Sequence, residues 1–301
     1  MKLLITGSNG LLGQKIVKRC IKQSIPFLAT SKGENRNPDC PSSSYQSLDI
    51  CSDDEIQTIV STYLPTAIIH TAALTNVDYC ELNPIECHAV NVEATHLLWE
   101  TAKQFNVHFQ LVSTDFVFDG TKGNYCETDE VRPLSVYAQS KVDAEKLLLK
   151  DEITDWSIAR TIIVFGTGHH LSRTNLVLWA LEALPKGESM KLVNDQFRAP
   201  TWADDLAYGC VEIVNRKEKG IFHLSGPETN SIDRIVKEIA SYLGIQNPPI
   251  EAISSATLNQ PAKRPPKTGF DLSKARRQLN YQPKKLVESV ALLLQELDLA
   301  E

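Results

Sequence analysis

Two residues within residues 135–141 could carry out proton transfer. Tyr137 and Lys141 are four positions apart, so in a helix their side chains project from the same face, with the ammonium beside the phenol. A phenol titrates near pH ~10, and a neighbouring cation favours its ionised form, which suits general acid–base catalysis. The same spacing is common on solvated helix surfaces, so the pair indicates catalysis only if other segments complete a site.

A hydroxyl group stands at the end of the preceding predicted strand. Residues 107–112 form a predicted strand that runs into Ser113, Thr114 and Asp115. Side chains at the carboxyl end of a central parallel strand face the crevice in which such sheets bind ligands. We therefore predict that Thr114 and Tyr137 reach the same substrate atom.

The first strand and helix of the chain have the pattern of a phosphate-binding turn. An apolar strand over residues 2–6 is followed by a glycine-rich turn and then by an amphipathic helix that ends near Gln23. This order places free backbone N–H groups and a positive helix end against a pyrophosphate. The cofactor contacts predicted at this turn are Gly7, Asn9, Gly10, Leu11, Leu12 and Gly13.

The end of the second predicted strand, residues 27–30, indicates which dinucleotide binds. Ser31 and Lys32 follow it, Arg36 is close behind, and no acid stands there for the ribose hydroxyls of NAD. Small polar and basic groups suit a 2′-phosphate, so NADP(H) is the preferred cofactor and NAD(H) the alternative. The same residues could also be ordinary loop charges. Further cofactor contacts are predicted at Asp49, Ile50, Ala72 and Ala73.

Apolar strand patterns alternate with helical patterns over the first 166 residues. This alternation predicts an α/β fold, a doubly wound parallel sheet of the Rossmann type, with a smaller C-terminal α/β substrate lobe. We predict a dinucleotide-binding domain over residues 1–166, to which residues 196–226 return, and a substrate-binding lobe of residues 167–195 and 227–301. Asn91, a poor helix former inside a predicted helix, is either a buried polar link or an exposed residue.

Composition excludes several classes of protein. The 301 residues are 42% hydrophobic and carry a net charge of -6, which is ordinary for a globular protein and argues against binding nucleic acid. No apolar run approaches ~18 residues, so we expect no membrane span and a cytoplasmic protein. The seven cysteines form no Cys-x-x-Cys pair and the seven histidines lack metal spacing, so we expect reduced thiols and no metal.

Taken together, these motifs resemble those of the extended short-chain dehydrogenase/reductases. The glycine turn, the hydroxyl of Thr114 and the pair of Tyr137 and Lys141 carry the resemblance. Within that class, residues 114–120 resemble the corresponding motif of the dTDP-4-dehydrorhamnose reductase family. The resemblance to this family extends over nearly the whole chain. The other segments that resemble this family are Asp195 with Gln196, Pro200 with Thr201, and Arg264 with Pro265.

The resemblance implies a reaction and a set of roles. Tyr137 would protonate a carbonyl oxygen as NAD(P)H delivers hydride to the carbon, Thr114 would hydrogen-bond that oxygen, and Lys141 would bind the nicotinamide ribose and lower the pKa of Tyr137. The reaction implied is NADPH-dependent reduction of the 4-keto group of a nucleotide-linked deoxysugar, with dTDP-4-dehydro-L-rhamnose reduced to dTDP-L-rhamnose as the first candidate. The expected partner is this nucleotide-sugar, with neither nucleic acid nor membrane, and a homodimer is compatible with the sequence. Candidate substrate contacts are Thr75, Asn175, Arg198 and Arg264.

The sequence departs from the family pattern at three places. The family commonly has an aromatic residue at the position of Ile162 or Ile163, Tyr where Phe116 stands, and Gly where Arg198 stands. These departures leave the identity of the sugar open.

Two alternatives also stay open. One is another sugar-nucleotide epimerase, dehydratase or reductase of the same class, although Asp115 without a following Glu speaks against a dehydratase. The other is a non-catalytic regulatory subunit resembling that of methionine adenosyltransferase. The joint presence of Thr114, Tyr137 and Lys141 speaks against a subunit that needs no catalysis.

Overall fold

A seven-stranded parallel sheet forms the centre of the protein. The computed structural model describes residues 1–151 and 155–298, so residues 299–301 of the predicted C-terminal lobe lie outside the described residues. The strands of the sheet are β1 (Leu3–Thr6), β2 (Phe27–Ser31), β3 (Tyr45–Ser47), β4 (Ala67–His70), β5 (His108–Thr114), β6 (Trp156–Thr161) and β11 (Gly220–His223). They lie in the order β11-β6-β5-β4-β1-β2-β3, and each neighbouring pair is parallel.

The strand order reverses between β1 and β4. Leu4 of β1 pairs with Leu28 on one side and with Ile68 on the other. All four residues of β1 and of β4 are buried, because a doubly wound sheet is covered on both faces and its central strands are therefore continuously apolar. The chain leaves β1 and β4 in opposite directions, and this reversal opens a crevice at the carboxyl ends of the strands.

Helices cover both faces of the sheet. The helices are α1 (Leu11–Lys22), α2 (Asp53–Tyr63), α3 (Val77–Leu82), α4 (Pro84–His88), α5 (Ala94–Gln104), α6 (Val136–Leu149), α7 (Leu176–Ala183), α8 (Ala203–Asn215), α9 (Ile232–Tyr242), α10 (Ser273–Leu279) and α11 (Leu286–Asp298). Ile5 of β1 faces a core shared with α1, α8 and α10. Leu4, its neighbour, faces the opposite core, shared with α2, α5 and α6. The alternation of side chains along a strand thus feeds two separate apolar layers.

A third apolar core lies in the C-terminal part of the chain. It joins α7, α9 and α11 through Val177, Ile235 and Val290. Three two-stranded sheets accompany it, made of β7 (Val164–Phe165) with β10 (Thr201–Trp202), β8 (Met190–Val193) with β13 (Ile250–Ile253), and β9 (Phe197–Arg198) with β12 (Asn230–Ser231).

The predicted fold class is confirmed, because the central sheet is parallel, doubly wound and accompanied by a smaller α/β lobe. Strand β11 returns to the central sheet beside β6. The division of the chain at residues 166, 195 and 227 stays a prediction. Within the described part of the chain, no helix is both long and apolar enough to cross a membrane.

Candidate active site

The glycine turn between β1 and α1 leaves no room for a side chain. Gly7 has a φ of +72°, and a Cβ there would lie 2.6 Å from the backbone nitrogen of Ala72. A Cβ on Gly13 would lie 2.4 Å from the carbonyl oxygen of Gly7. The turn therefore packs directly against the loop that follows β4, and the first turn of α1 packs against the glycine turn. The first N–H groups of the helix have no partner within the helix and can bind an anion.

We call the crevice at this turn the glycine groove. Loops after β1, β4 and β7 line it, and it holds the predicted cofactor residues Asn9, Leu11, Leu12 and Ala73 along with the three glycines. Ala72 lies against Gly7 at its base. The other residues of the lining that bear on its chemistry are Arg36, Thr75, Arg173 and Asn175.

Asn9 joins the glycine turn to the loop after β2. Its backbone N–H donates to Oγ of Ser31 at 3.0 Å, its Nδ2 donates to the carbonyl of Glu34 at 2.8 Å, and its Oδ1 accepts from the N–H of Arg36 at 2.9 Å. Ser31 and Arg36 are thereby held close to the glycine groove, as a 2′-phosphate site requires.

Three residues predicted to contact the cofactor, Lys32, Asp49 and Ile50, are engaged elsewhere. Lys32, whose side chain is 79% exposed, forms an ion pair with Asp49 at 2.7 Å. The hydrogen bond from Lys32 holds the pKa of the Asp49 carboxyl below its usual value. Ile50 packs against the core beneath α2. Neither Lys32 nor Ile50 lines the glycine groove, which does not fit a direct cofactor contact from either side chain.

Thr114, Tyr137 and Lys141 line one cavity of about 420 Å³ at the ends of β5 and β6. We call it the tyrosine cavity. Thr114 is the last residue of β5. Helix α6 begins after Ser135, whose side chain caps it by accepting a hydrogen bond from the N–H of Ala138 at 3.3 Å. Tyr137 and Lys141, only 8% and 3% exposed, project from the same face of α6.

Burial dominates the charge states of these residues. It raises the pKa of Tyr137 well above its ordinary value, a shift that a hydrogen bond with Thr114 opposes. It lowers the pKa of Lys141 to about 8, opposed by the negative charge of Glu145. The expected lowering of the Tyr137 pKa by Lys141 is therefore absent from this structure, because desolvation favours the neutral form of a phenol.

Lys141 has free donors for a ligand, whereas the single O–H of Thr114 is already donated within the protein. Among the described residues, no group accepts a hydrogen bond from Nζ of Lys141. Thr114 donates to Asp115 Oδ1 at 3.2 Å and accepts from the N–H of Phe116 at the same distance. A buried ammonium that lines a cavity without an acceptor is suited to ribose hydroxyls, so the residues present fit a dinucleotide.

Asn91 is a buried polar link. It lies in a π-helical turn between α4 and α5 and is 1% exposed. Its Oδ1 accepts from the N–H of Leu74 at 2.8 Å, and its Nδ2 donates to the carbonyl of Leu74 and to Oγ of Ser140, each at 3.0 Å. Asn91 therefore ties the loop after β4 to α6 next to Lys141.

Glu145 is a residue of this site that the sequence analysis did not predict. It accepts hydrogen bonds from Arg160 Nη2 at 2.7 Å and from Ser113 Oγ at 2.6 Å, and both ends of the ion pair are buried. The sequence does contain one indication of its position. Glu145 follows Lys141 by four residues, and i,i+4 neighbours share a helix face.

Arg198 does not fit the predicted contact with substrate. It is 2% exposed, its Nη1 and Nη2 donate to the carbonyls of Phe197 and Pro265 at 2.7 and 2.6 Å, and its Nε lies 3.6 Å from Oδ2 of Asp115. Asp115, also buried, accepts a further hydrogen bond from Thr268. With its donors engaged in the interior, Arg198 holds the end of β5 instead.

The other predicted substrate contacts are spread around the crevice. Arg264 makes two hydrogen bonds to Asp78, at 3.1 and 2.7 Å. Asn175 caps α7 and donates to the carbonyl of Gly166 at 2.9 Å. Thr75 lines both the glycine groove and the tyrosine cavity and accepts a hydrogen bond from Arg173. The structure therefore places Thr75 in the tyrosine cavity, whereas Arg264 is paired with Asp78.

The departures from the family pattern fall partly inside the site. Phe116 and Ile163 line the tyrosine cavity, and the ring of Phe116 lies edge-on to that of Tyr137 at 6.1 Å. Ile162 is buried in the core of the sheet. Ile163 has a φ of +29°, a rare conformation for a β-branched residue that concentrates at functional sites.

A parallel, doubly wound sheet whose glycine turn opens beside a tyrosine–lysine helix is the architecture of the extended short-chain dehydrogenase/reductases. This class accounts for the geometry described above. Residues 1–299 match the family model described as RmlD substrate binding domain, and the chain belongs to that family.

Individual relatives agree with this assignment. A dTDP-4-dehydrorhamnose reductase from Aggregatibacter actinomycetemcomitans is 32% identical over 295 residues, which cover 94% of each chain. The crystal structure of a dTDP-4-dehydrorhamnose reductase from Clostridium acetobutylicum superimposes with a TM-score of 0.85 and 26% identity, over 99% of this chain and all of that one. The methionine adenosyltransferase 2 subunit beta from Xenopus laevis is 28% identical over 75% of this chain and 67% of its own. The resemblance to the dTDP-4-dehydrorhamnose reductase family is thereby confirmed.

Proposed function

We propose that the protein reduces the 4-keto group of a nucleotide-linked deoxysugar with NADPH, and that the substrate is dTDP-4-dehydro-L-rhamnose, reduced to dTDP-L-rhamnose. The observation that carries this proposal is the convergence of Thr114, Tyr137 and Lys141 on a cavity that adjoins the glycine groove. Similarity to dTDP-4-dehydrorhamnose reductases over most of the chain supports the choice of substrate.

The dinucleotide supplies the hydride when it is bound. The glycine turn offers it free N–H groups at the start of α1, and Lys141 offers an ammonium for the nicotinamide ribose. Ser31 and Arg36, held by Asn9, suit a 2′-phosphate, so we propose NADPH as the preferred cofactor and NADH as the alternative.

The protein's own groups handle the ketone oxygen. Thr114 hydrogen-bonds it by turning its O–H from Asp115 towards the ketone. Tyr137, kept protonated by burial, donates its proton as the carbon gains hydride. Burial sets the pKa of Tyr137 in this structure, and we propose that Lys141, which shares its helix face, stabilises the resulting phenolate once the cofactor has bound beside both residues. The products are a secondary alcohol and the oxidised cofactor.

We propose that the sugar end of the substrate enters beside Thr75 and that its nucleotide lies over the lobe of residues 167–195 and 227–301. Arg264 would reach the diphosphate only by leaving Asp78, so we propose that it contacts the diphosphate only after the substrate has bound. The homodimer and the cytoplasmic location stay predictions, and light scattering of the purified protein measures the first.

The proposed function is tested by following NADPH and NADH oxidation against a panel of dTDP-, UDP- and GDP-linked 4-keto sugars. We expect turnover of the dTDP-linked 4-keto-6-deoxy sugar with NADPH. Binding of NADPH without oxidation by any sugar of the panel would contradict the proposal and favour the regulatory alternative that the 28% identical subunit beta suggests.

The substitution Tyr137→Phe removes the proton donor and keeps the ring. We expect kcat to fall by about 10²- to 10⁴-fold, the range of general acid catalysis, with the Kd of NADPH unchanged. Tyr242→Phe, an exposed tyrosine at the end of α9, is the matched control and should keep full activity. A Tyr137→Phe variant with the wild-type rate would exclude the role proposed for the phenol.

A further inference from the structure

Residues 166–175 lie over the glycine groove. They connect β7 to α7, and Leu171, Arg173 and Asn175 line the same groove as the glycine turn. We call this segment the roof. The sequence pointed only to Asn175 in this segment, because the segment has no regular periodicity and its position depends on the strands around it.

Two side chains, Gln14 and Arg173, fasten the roof across the groove, and Asn175 makes a hydrogen bond within the roof. Gln14 of α1 donates to the carbonyl of His169 and accepts from its N–H, each at 2.8 Å. Asn175 donates to the carbonyl of Gly166 at 2.9 Å. Arg173 donates through Nη2 to Oγ1 of Thr75, on the loop that follows β4. The Arg173 guanidinium thus spans the groove at the point where the glycine groove meets the tyrosine cavity, since Thr75 lines both.

The lining of the glycine groove is electropositive. It contains Arg36 and Arg173, and among the described residues of the lining there is no aspartate or glutamate. This local sign contrasts with the net charge of -6 of the whole chain. The N-terminus of α1 opens into the same groove and adds a partial positive charge.

We propose that Arg173 binds the pyrophosphate of the dinucleotide from the roof, with Thr75 holding the guanidinium in place. Only Nη2 is engaged by Thr75, so the planar guanidinium keeps N–H groups for phosphate oxygens. Arg36, held near Ser31 through Asn9, serves the opposite end of the cofactor. The two arginines therefore bracket the dinucleotide, one at the 2′-phosphate and one at the pyrophosphate.

A second diphosphate, that of the nucleotide-sugar, could in principle compete for the same guanidinium. The helix N-terminus and the glycine turn face the groove that Arg173 lines, and this arrangement favours the cofactor. The inference rests on the proposed use of a dinucleotide and is independent of which sugar is reduced.

The test measures binding in the absence of any sugar. The Kd values of NADPH and of 2′-AMP are determined by calorimetry for the wild type and for Arg173→Ala, Arg173→Lys and Arg234→Ala. Arg234 is exposed on α9 and serves as the matched control. 2′-AMP carries the adenosine and the 2′-phosphate and lacks the pyrophosphate.

We expect Arg173→Ala to weaken NADPH binding by about 10- to 100-fold, the range for a hydrogen bond to a charged group. Binding of 2′-AMP should stay within about twofold of the wild type, and Arg173→Lys should restore part of the loss because a lysine keeps the charge without the planar fork. The loss in Arg173→Ala should shrink at high salt as screening weakens the wild-type contact.

Three outcomes would overturn the proposal. NADPH affinity unchanged in Arg173→Ala, with a raised KM for the nucleotide-sugar, would assign Arg173 to the sugar diphosphate. Equal loss of NADPH and 2′-AMP binding would indicate that Arg173 only supports the roof. If the wild-type protein does not bind NADPH, Arg173 has no pyrophosphate to bind and the proposal fails. If the protein binds NADPH through Arg173 and reduces no sugar of the panel, the proposed substrate fails and this inference stands.

Discussion

At the scale of single residues, burial decides the chemistry of the tyrosine cavity. A phenol and an ammonium both lose hydration there, and both shift towards their neutral forms, which raises the pKa of Tyr137 and lowers that of Lys141 to about 8. A reductase needs the phenol protonated, so the direction of the first shift suits proton donation. The second shift means that the Lys141 charge is costly to bury, and catalysis and stability oppose each other at this position.

This opposition predicts the behaviour of Lys141→Met. The wild-type pKa is lower in the folded than in the unfolded state, so the charged lysine destabilises the fold below pH 8, and this effect fades as the pH rises from about 8 to the unfolded value of 10.5. We expect the variant to raise the free energy of unfolding by about 1–3 kcal/mol at pH 6 and by less at pH 9.5, and to lose most activity. Urea denaturation at the two pH values measures the difference. A variant less stable than the wild type at pH 6 would contradict the assignment.

At the scale of elements, α6 is the part of the fold that the site depends on most. Ser135 caps its start, Asn91 holds it at Ser140, and the buried pair of Glu145 and Arg160 holds it to β6. Asn91 lies in the turn before α5 and Arg160 lies on β6, so α6 is held at two separate points along its length as well as capped at its start. The π-helical turn that carries Asn91 is a local irregularity of the kind that recurs at functional sites.

Asn91→Leu removes the link between the loop after β4 and α6 at nearly constant volume. We expect the free energy of unfolding to fall by about 1–3 kcal/mol, since the partly buried backbone groups of Leu74 lose their partner. We expect kcat to fall as well, because Lys141 shifts. Thr101→Val on the neighbouring α5 is the matched control. It loses a buried hydroxyl that bonds Gln57 and should lose comparable stability with kcat unchanged. Equal kcat values in the two variants would show that Asn91 has only a structural role.

At the scale of the whole molecule, the C-terminal part of the chain is fastened to the end of β5. Asp115, next to Thr114, is bound by Arg198 and Thr268, and Arg264 reaches Asp78 at the start of α3. These contacts place residues 198, 264 and 268 next to the site, so we expect a substrate bound there to lie close to both the sheet and the C-terminal part of the chain. Arg198 and Arg264, which the sequence predicts as substrate contacts, form ion pairs that join these two parts of the structure.

Arg198→Met separates the two interpretations of Arg198. If Arg198 is a buried partner of Asp115, its replacement should lower the free energy of unfolding by about 3–5 kcal/mol, because the carboxylate of Asp115 is left without a compensating charge. The double variant with Asp115→Asn should lose less than the sum of the two single losses. Unfolding free energies from urea titrations measure both effects. Little loss of stability combined with a large rise in the KM of the nucleotide-sugar would restore the substrate contact predicted from the sequence.

Local patterns in the sequence determined a good part of this protein. The alternation of apolar strands and helices, the glycine turn after β1 and the spacing of Tyr137 and Lys141 depend on periodicity over a few residues. Those rules were enough to predict the parallel sheet and the place of Thr114 at the end of β5.

Only the tertiary structure decided where the long charged side chains go and which groups are desolvated. Lys32 pairs with Asp49, Arg198 with Asp115, Arg264 with Asp78, and Arg173 crosses to Thr75. Each of these partners lies on a different element, up to 186 positions away in the chain, and a flexible arginine or lysine carries no periodic signal of its partner. The raised pKa of Tyr137 has the same origin, because its burial is produced by the packing of separate segments around α6.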